Sequence, residues 1–254
     1  MLSIYSDSNW VDKTKLIKPK YDMIIGFDII NDSNIFVQVE PEAIIPRRQY
    51  LIQNWNKFKY ILSFDEEVLS KCPNAHKYIF GTSWITPEEY TSIVSENKEF
   101  KISIIVGHKN MTKGHQLRKQ ILNTNFLNVN YYVSNSGVHP EKPLVGPSKF
   151  KTFEKYQYQI VIENSQQKNY FTEKLLDCLI CKTIPIYWGC PNISEYFDTS
   201  EWIFFTDLED LKTKLPTNPH YYSHCKTLEQ NYLKAIEYSN FETNVNNALL
   251  KITY

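Results

Sequence analysis

Apolar and polar residues follow each other along the chain in a pattern that predicts alternating strands and helices. Short apolar runs bounded by Asp, Asn, Ser or Gly are typical of strands, and such runs stand at LSIYS, DMIIGFDII, IFVQVE, KYIFGTSWI, KISIIVG, VNYYVS, YQIVIENS, TIPIYWG and WIFFTD. Helical spacing appears in TPEEYTSIV, TKGHQLRKQILNT and TEKLLDCLICK, and the tail from about Tyr222 predicts one or two further helices. The stretch YLIQNWNKFKYILSF mixes both signals and stays undecided. The alternation predicts an α/β protein with parallel strands and crossover helices.

A polar stretch indicates a domain boundary. After the helix start at Thr86 and Pro87, the sequence turns polar in SENKEF, just before the apolar run KISIIVG. Domain boundaries tend to fall in exposed polar segments. We therefore predict two domains, residues 1–97 and residues 98–254.

Composition and charge narrow the class of protein. The 254 residues are 42% apolar, which is enough to bury a sizeable core. Acidic and basic residues number 28 each, and a net charge of zero argues against nucleic acid as the main partner. The balance is uneven along the chain, because residues 101–155 hold nine Lys or Arg and only two acids. This basic block is either a solvated face or the site of a small anion such as a nucleotide diphosphate.

Signals for export, membrane insertion and metal binding are weak. The start MLSIYSDSNWVDKTK lacks the apolar run of a signal peptide, and no run approaches the roughly 18 apolar residues of a membrane helix. Five cysteines, an odd number in a long chain, favour free thiols in a reducing compartment. Cys178 and Cys181 form a C-x-x-C pair inside a predicted helix, without the second pair or histidine cluster of a zinc site. We expect a soluble protein without a membrane anchor.

The segment from VIENS to YFTEK places polar residues where ligands bind in open α/β sheets. An apolar strand ends abruptly at Glu163, Asn164 and Ser165, and ligands bind beyond the carboxyl ends of parallel strands. Thr172 suits the N-cap of the next helix. With Lys174 in the first turn, backbone N–H groups, helix dipole and ammonium would all attract an anion. Thr-Glu-Lys alone is typical of an ordinary capped helix, but its position after VIENS favours a diphosphate site.

The run YQIVIENSQQKNYFTEKLLDCLICKTIPIYWGCPNI resembles the donor-binding signature of the α-1,3/1,4-fucosyltransferases, glycosyltransferase family 10, in the style of its bacterial members. The likeness covers the carboxyl half of the chain well and the amino half loosely. It implies the GT-B fold, in which two Rossmann-like domains face each other across a cleft. One domain holds GDP-fucose and the other holds the acceptor and the catalytic base. Animal members of the family carry a membrane anchor, and this sequence shows no apolar run for one. We therefore expect a cytoplasmic enzyme of a bacterium, or a viral protein in the cytoplasm of its host.

The resemblance also implies roles for residues of the signature. Asn164, Tyr170, Glu173 and Lys174 fall on positions that contact the donor in the family. Lys174 would bind the diphosphate, and Glu173 would accept hydrogen bonds from hydroxyls of the sugar portion. Glu163 lies beside them, and whether it faces the ligand or the sheet stays open.

A phosphate-binding arginine is expected near the start of the first helix of the donor domain. Within MTKGHQLRKQIL our candidate is Arg118, whose guanidinium can grip two phosphate oxygens. An alignment in which the arginine opens the helix gives this position to His115 or Lys113 instead.

The catalytic base is expected in the amino-terminal domain, where the family has an acid followed closely by proline. IFVQVEPEAIIP offers Glu40 and Glu42, and Glu40 is our candidate because it ends the strand. The implied reaction is inverting sugar transfer: the base takes a proton from an acceptor hydroxyl, which attacks the anomeric carbon as GDP leaves. Arg118, Lys174 and the helix N-terminus would stabilise the leaving diphosphate, so we expect no essential metal or cofactor. Two alternatives stay open: the same fold with a different nucleotide sugar, and a sugar- or nucleotide-binding module without catalysis.

Overall fold

The computed structural model describes residues 3–5, 11–16, 24–30, 34–135, 137–218 and 225–253. The strands in this part of the chain are β1 (Ser3–Tyr5), β2 (Ile24–Phe27), β3 (Ile35–Val37), β4 (Tyr60–Ser63), β5 (Ala75–Lys77), β6 (Glu99–Val106), β7 (Val129–Val133), β8 (Tyr156–Ile162), β9 (Ile184–Trp188) and β10 (Ile203–Phe204). Its α-helices are α1 (Arg48–Asn54), α2 (Glu66–Lys71), α3 (Pro87–Thr91), α4 (Lys113–Thr124), α5 (Glu173–Ile180), α6 (Leu208–Lys214), α7 (Cys225–Tyr238) and α8 (Phe241–Thr253).

The chain divides into two compact units with bounds that differ from the expected break at residue 97. The first comprises Met1–Gly81, Gln167–Tyr170 and Asn240–Tyr254, and the second comprises Thr82–Gln166 and Phe171–Ser239. Two late segments belong to the first unit because their apolar side chains are buried in its core, Tyr170 from one and Phe241 from the other. A polarity pattern read along the chain does not reveal such a return.

The first unit is built on a parallel sheet in the order β1-β2-β3-β4-β5. On one face, Phe27 and Phe64 belong to a cluster that includes Phe241 and Val245 of α8. On the opposite face, Phe36 packs in a second cluster with residues of α1 and α2. Helices therefore cover both faces, as in Rossmann-like domains.

The second unit is built on a parallel sheet in the order β10-β9-β8-β6-β7. Strand β8 is central and buried along its whole length, which is typical of a strand covered on both faces. Ile160 lies on the face packed by α4 and α6, through Ile121 and Leu211. Helix α5 follows β8 in sequence and lies against β8 and β9. This arrangement brings the start of α5 to the carboxyl end of β8.

Most elements predicted from the sequence are present, but the sequence pattern missed α2, β5 and α6. The undecided stretch YLIQNWNKFKYILSF contains the end of α1 and the strand β4. The strand predicted in KYIFGTSWI is wrong, because β5 ends at Lys77 and the residues that follow have no regular structure. The apolar pattern of this segment comes from Tyr78 and Phe80, which are buried in the core of the first unit. Residues 222–224, where the tail helices were expected to begin, lie outside the described residues.

Candidate functional site

A cavity of about 310 Å³ opens in the second unit, where β6, β7 and β8 reach their carboxyl ends. Four residues predicted for the donor site line it: Arg118, Asn164, Glu173 and Lys174. Its position agrees with the rule that ligands of open α/β sheets bind beyond the carboxyl ends of the strands. Its size falls within the range of ligand pockets.

Arg118 lies in the cavity wall and is held by the end of β8. The side chain is only 7% exposed although it is charged. One terminal nitrogen, Nη1, donates to the carbonyl oxygen of Ile162, and the other, Nη2, donates to Oδ1 of Asn164 at 3.1 Å. The structure therefore brings together Arg118 and Asn164, which the sequence predicted for the same site.

Gly114 sets how closely α4 approaches β8, and the sequence pattern gave no warning of it. Its backbone N–H donates to the carbonyl oxygen of Asn164 at 3.3 Å. A Cβ atom at Gly114 would lie 1.9 Å from the carbonyl oxygen of Glu163, far inside van der Waals contact. Only glycine lets the first turn of α4, and with it Arg118, pack against the end of the strand.

His115 also lines the cavity but carries no charge at neutral pH. Its ring Nδ1 lies 2.8 Å from the Thr112 hydroxyl, which caps α4. Burial, together with the nearby Arg118 guanidinium, lowers the pKa of His115 to about 4. Lys113, the other alternative, is exposed and is not among the lining residues. Of the three candidates, Arg118 alone combines a permanent charge with a place in the wall.

Glu163 faces the start of α5 and does not line the cavity. It is fully buried, and burial raises the pKa of its carboxyl. One carboxylate oxygen accepts from the backbone N–H of Thr172 at 2.9 Å, and the other accepts from the Thr172 hydroxyl at 2.7 Å. Glu163 therefore connects the end of β8 to the N-cap of α5. Its side chain faces this helix start and not the cavity.

Glu173 and Lys174 form an ion pair in the first turn of α5. The Lys174 ammonium lies 2.9 Å from a Glu173 carboxylate oxygen and 3.9 Å from one of Glu163. Burial alone would raise the pKa of Glu173, but the charges of Lys174 and Lys149 outweigh it and lower that pKa to about 2. Burial likewise opposes the ammonium, and the two carboxylates raise the pKa of Lys174. Both side chains are charged at neutral pH.

Lys149 and Asp177 belong to the same site but were missed from the sequence. The Lys149 ammonium lies 3.4 Å from Asp177 and 3.9 Å from Glu173. Asp177 also accepts from the Ser83 hydroxyl at 2.8 Å and the Trp84 backbone N–H at 2.9 Å, and burial raises its pKa to about 6. An acid inside the apolar stripe of α5 was the available signal for Asp177. Lys149 stood in a loop without periodicity.

Tyr170 is placed differently from the expectation that it borders the donor pocket. It is 1% exposed and is not among the lining residues of the cavity. Its ring packs in the core of the first unit, with centroids 5.2 Å from Phe64 and 6.4 Å from Phe80. A large aromatic ring is readily accommodated in such a core, and the signature motif gives no signal that its tyrosine belongs to another unit.

In the first unit, Glu40 follows β3 in a loop held by Asp28. The Asp28 carboxylate accepts from the backbone N–H of Val39 at 3.0 Å and of Glu40 at 2.8 Å. Asp28 adopts a left-handed backbone conformation with φ 55°, which Asp tolerates better than most residues. Burial raises the pKa of Asp28 to about 6. The backbone at Glu40 is thus fixed by two anchored N–H groups.

Glu42 makes a different set of contacts. One of its carboxylate oxygens accepts from the backbone N–H of Arg47 at 3.0 Å and of Arg48 at 2.9 Å. These groups stand at the start of α1, where backbone donors lack intrahelical partners. Glu42 therefore caps α1.

The described part of the chain contains no group of three or more His, Cys, Asp or Glu side chains placed to hold a metal ion. Within the same part of the chain, no helix is both long enough and apolar enough to cross a lipid bilayer.

Comparison with known proteins assigns the family. The sequence profile of glycosyltransferase family 10 (fucosyltransferase), C-terminal part, matches residues 95–244. The chain belongs to glycosyltransferase family 10. The matched segment contains β8, α4 and α5, so the resemblance inferred from the signature is confirmed.

Curated relatives of this family 10 chain align over short segments. It is 28% identical to the alpha-(1,3)-fucosyltransferase FucT of Helicobacter pylori over 77 residues, which are 30% of this chain and 16% of the relative. It is 28% identical to a fucosyltransferase-like protein of Arabidopsis thaliana over 65 residues, which are 25% of this chain and 13% of the relative. The alignments thus span less than a fifth of either relative.

Solved structures establish the fold of the family 10 chain. A crystal structure of an alpha1,3-fucosyltransferase matches with a TM-score of 0.54 at 17% identity, covering 93% of this chain and 77% of that one. HepE of Anabaena, solved with UDP and glucose, matches with a TM-score of 0.60 at 7% identity, covering 91% and 77%. Both are GT-B glycosyltransferases, and the predicted GT-B class is confirmed.

Proposed function

We propose that this family 10 protein is an inverting fucosyltransferase that transfers fucose from GDP-fucose to a hydroxyl of a glycan acceptor. The observation that carries the proposal is the meeting of Arg118, Lys174 and the start of α5 in one cavity. Family membership supports the reaction class. A crystal structure of an alpha1,3-fucosyltransferase with GDP, matched here at a TM-score of 0.53 and 17% identity, supports the nucleotide only by analogy.

The diphosphate of the donor would lie against Arg118 and Lys174. The guanidinium of Arg118 is already fixed by its bonds to Ile162 and Asn164. Charges fixed before the reaction need no reorganisation as negative charge grows on the leaving group, which makes them effective in catalysis. In this role the two cations and the helix N-terminus would take the part that a divalent metal plays elsewhere.

Glu173 would bind hydroxyl groups of the donor. Its pKa of about 2 keeps the carboxylate ionised at neutral pH, and an ionised carboxylate can accept hydrogen bonds from two hydroxyls. Its bond to Lys174 holds it at the entrance of the helix. Asn164 and Arg118 would then contact the donor from the strand end and from α4.

Glu40 would act as the catalytic base in the first unit. It would take the proton of the acceptor hydroxyl as that oxygen bonds to the anomeric carbon and the bond to the β-phosphate oxygen breaks. The product would be the fucosylated acceptor with inverted configuration, and GDP would leave. The contrast with Glu42 supports this role, because Glu42 already caps α1.

Calorimetric titration with GDP tests the donor site. A charge-assisted contact contributes about 1.5–3 kcal/mol, so Lys174→Ala should weaken GDP binding by roughly 10- to 150-fold. Lys151→Ala is the matched control, because Lys151 lies in the same basic block but is exposed and does not line the cavity. Equal GDP affinity of the parent and Lys174→Ala would contradict the diphosphate assignment.

Product assays separate the remaining alternatives. We expect GDP release from GDP-fucose that depends on a glycan acceptor, with UDP binding much more weakly than GDP. Tighter binding of UDP than of GDP would favour a different nucleotide sugar. Tight binding of GDP-fucose without transfer to any acceptor in a panel would favour a binding module without catalysis.

A further inference from the structure

Asp28 and Glu40 stand at the same edge of the sheet of the first unit. Asp28 directly follows β2, and Glu40 belongs to residues 38–40 after β3, which we call the Glu40 loop. The two strands are parallel neighbours, with Phe27 opposite Val37. Their carboxyl ends therefore meet at the edge where open α/β sheets bind their ligands. A buried acid and the candidate base thus lie next to each other on the ligand-binding side of this unit.

The Asp28 carboxylate holds the backbone of the Glu40 loop with both of its oxygens. Oδ1 accepts from the N–H of Val39 at 3.0 Å, and Oδ2 accepts from the N–H of Glu40 at 2.8 Å. The backbone N–H of Asp28 donates in turn to the carbonyl oxygen of Val37 at 2.9 Å. Hydrogen bonds to an ionised acceptor are roughly twice as strong as neutral ones, so the charge of Asp28 contributes much of this hold.

Groups without charge hold the first residue of the Glu40 loop. The backbone N–H of Gln38 donates to the carbonyl oxygen of Leu62 at 2.9 Å. Its carbonyl oxygen accepts from the Tyr78 hydroxyl, whose pKa is raised by burial, so the hydroxyl stays neutral. These contacts do not change with pH near neutrality, whereas the two contacts of Asp28 depend on its ionisation.

The charge of Asp28 changes within reach of neutral pH. Burial raises the pKa of Asp28 to about 6 and outweighs the two backbone N–H groups, which lower it. Of the charged groups that face Asp28, Glu40 raises this pKa further, and Arg47, whose Nε donates to the Asp28 carbonyl oxygen at 3.4 Å, lowers it. Protonation turns one carboxyl oxygen into a hydroxyl, which is a donor. One of the two backbone N–H groups then loses its charged acceptor.

We propose that Asp28 is a positioning residue for Glu40, because its ionised carboxylate fixes the Glu40 loop through two backbone N–H groups and so places the catalytic base. The inference rests on the proposed function, since it takes Glu40 as the base. Loss of the charge lets the Glu40 carboxylate move relative to the acceptor hydroxyl. A displacement of about 1 Å can cost 10²-fold in rate. Asp28 acts through the loop and does not itself touch the substrate.

Asp28→Asn removes the charge with little other change. Asparagine keeps the size of the side chain and tolerates the left-handed backbone of this position, where φ is 55°. It offers one acceptor oxygen, and its NH₂ group would face the second backbone donor. The variant therefore resembles the protonated parent at every pH.

The ratio of single-turnover transfer rates, parent over Asp28→Asn, tests the inference across the pH range. Groups that titrate in both proteins largely cancel in this ratio. We expect a ratio of roughly 10 to 100 above about pH 7, falling towards one below about pH 5, with a midpoint near pH 6. GDP affinity should be the same in both proteins, because the donor site lies in the second unit.

Glu42→Gln is the matched control. Glu42 also accepts from two successive backbone N–H groups, those of Arg47 and Arg48, but at the start of α1. Its ratio to the parent should therefore stay near one at every pH. Unfolding does not imitate the expected effect: since the pKa of Asp28 is raised, its protonation stabilises the fold as the pH falls from about 6 to about 4.

NMR of the labelled full chain tests the hydrogen bonds without use of activity. The backbone amide signals of Val39 and Glu40 should shift with pH around a midpoint of about 6 in the parent. In Asp28→Asn they should not shift over this range. Amide signals that behave alike in parent and variant would contradict the assigned bonds and overturn the inference.

Failure of the inference can be told apart from failure of the proposed function. If Glu40→Gln loses transfer while the ratio for Asp28→Asn is the same at about pH 5 and about pH 8, Glu40 is the base and its positioning by the charge of Asp28 is wrong. If Glu40→Gln transfers at the rate of the parent, the proposed base is wrong, and the role of Asp28 in placing it fails for that reason.

Discussion

Substitution of Glu42 should lower stability with little effect on transfer, and substitution of Glu40 should lower transfer with little effect on stability. Glu42 accepts the backbone N–H groups of Arg47 and Arg48 at the start of α1. Loss of a side-chain cap costs roughly 0.5–2 kcal/mol, and loss of an acid from a helix N-terminus adds about 0.3–1 kcal/mol. Since Glu42 is half-buried, we expect Glu42→Ala to lower the free energy of unfolding by about 1–2 kcal/mol. Transfer activity should stay close to that of the parent below the unfolding transition.

Glu40→Gln should have the opposite profile. The loop backbone at Glu40 is held by Asp28 through main-chain N–H groups, which the substitution leaves in place. We therefore expect the free energy of unfolding to change by less than about 0.5 kcal/mol. Glutamine cannot take a proton at neutral pH, so transfer should fall by roughly 10²- to 10⁴-fold, the usual share of general base catalysis.

Urea unfolding followed by circular dichroism and a GDP-release assay with acceptor measure the two effects on the same protein samples. GDP affinity is the control, because a donor site in the second unit should be unaffected by either change. If Glu42→Ala abolishes transfer while its stability is unchanged, the two acids exchange roles. If Glu40→Gln transfers fucose at the rate of the parent, the base lies elsewhere.

Two further predictions concern the second unit. Gly114→Ala would place a Cβ 1.9 Å from the Glu163 carbonyl oxygen. Since that oxygen belongs to the backbone, we expect the free energy of unfolding to fall by about 1–3 kcal/mol and GDP binding to weaken. Unchanged stability and unchanged GDP affinity would refute the close packing. Burial raises the pKa of Asp177 from 3.8 to about 6. Between these pH values the folded protein keeps a proton that the unfolded chain releases. The free energy of unfolding therefore falls as the pH rises from about 4 to about 6. Asp177→Asn does not titrate, and its stability relative to the parent should therefore rise by up to about 3 kcal/mol between pH 4 and pH 7, as checked by urea unfolding.

Local sequence patterns were sufficient for most of the fold because each parallel strand is a short apolar run and each helix repeats its own spacing. Thr86 shows how far local rules reach: its hydroxyl and the side chain of Glu89 form the reciprocal capping box at the start of α3. The failures lie where burial occurs without regular structure. Tyr78 and Phe80 have the hydrophobicity of strand residues, but they fill a core from an irregular segment.

The candidate site was predictable where the residues that come together in it belong to one continuous sequence motif. Asn164, Glu173 and Lys174 stand within eleven positions of each other, at a strand end and the next helix start. Lys149 was not predictable, because its role depends on which side chains meet in three dimensions. Its ammonium lies near the carboxylates of Glu173 and Asp177, which stand more than twenty positions further along the chain.

The two ends of the motif are connected by a residue that never reaches the cavity. Glu163 accepts both the backbone N–H and the hydroxyl of Thr172, and the Thr172 hydroxyl in turn accepts from the backbone N–H of Lys174 at 3.3 Å. A buried carboxylate is costly unless its oxygens are bonded, so this one is stable only when the helix begins at the position that the strand end dictates. The position of Lys174 is therefore set by the strand, through two hydrogen-bonded residues. This explains why a polar strand end is followed so closely by a helix with a cation in its first turn, and it accounts for Glu163 as a positioning residue.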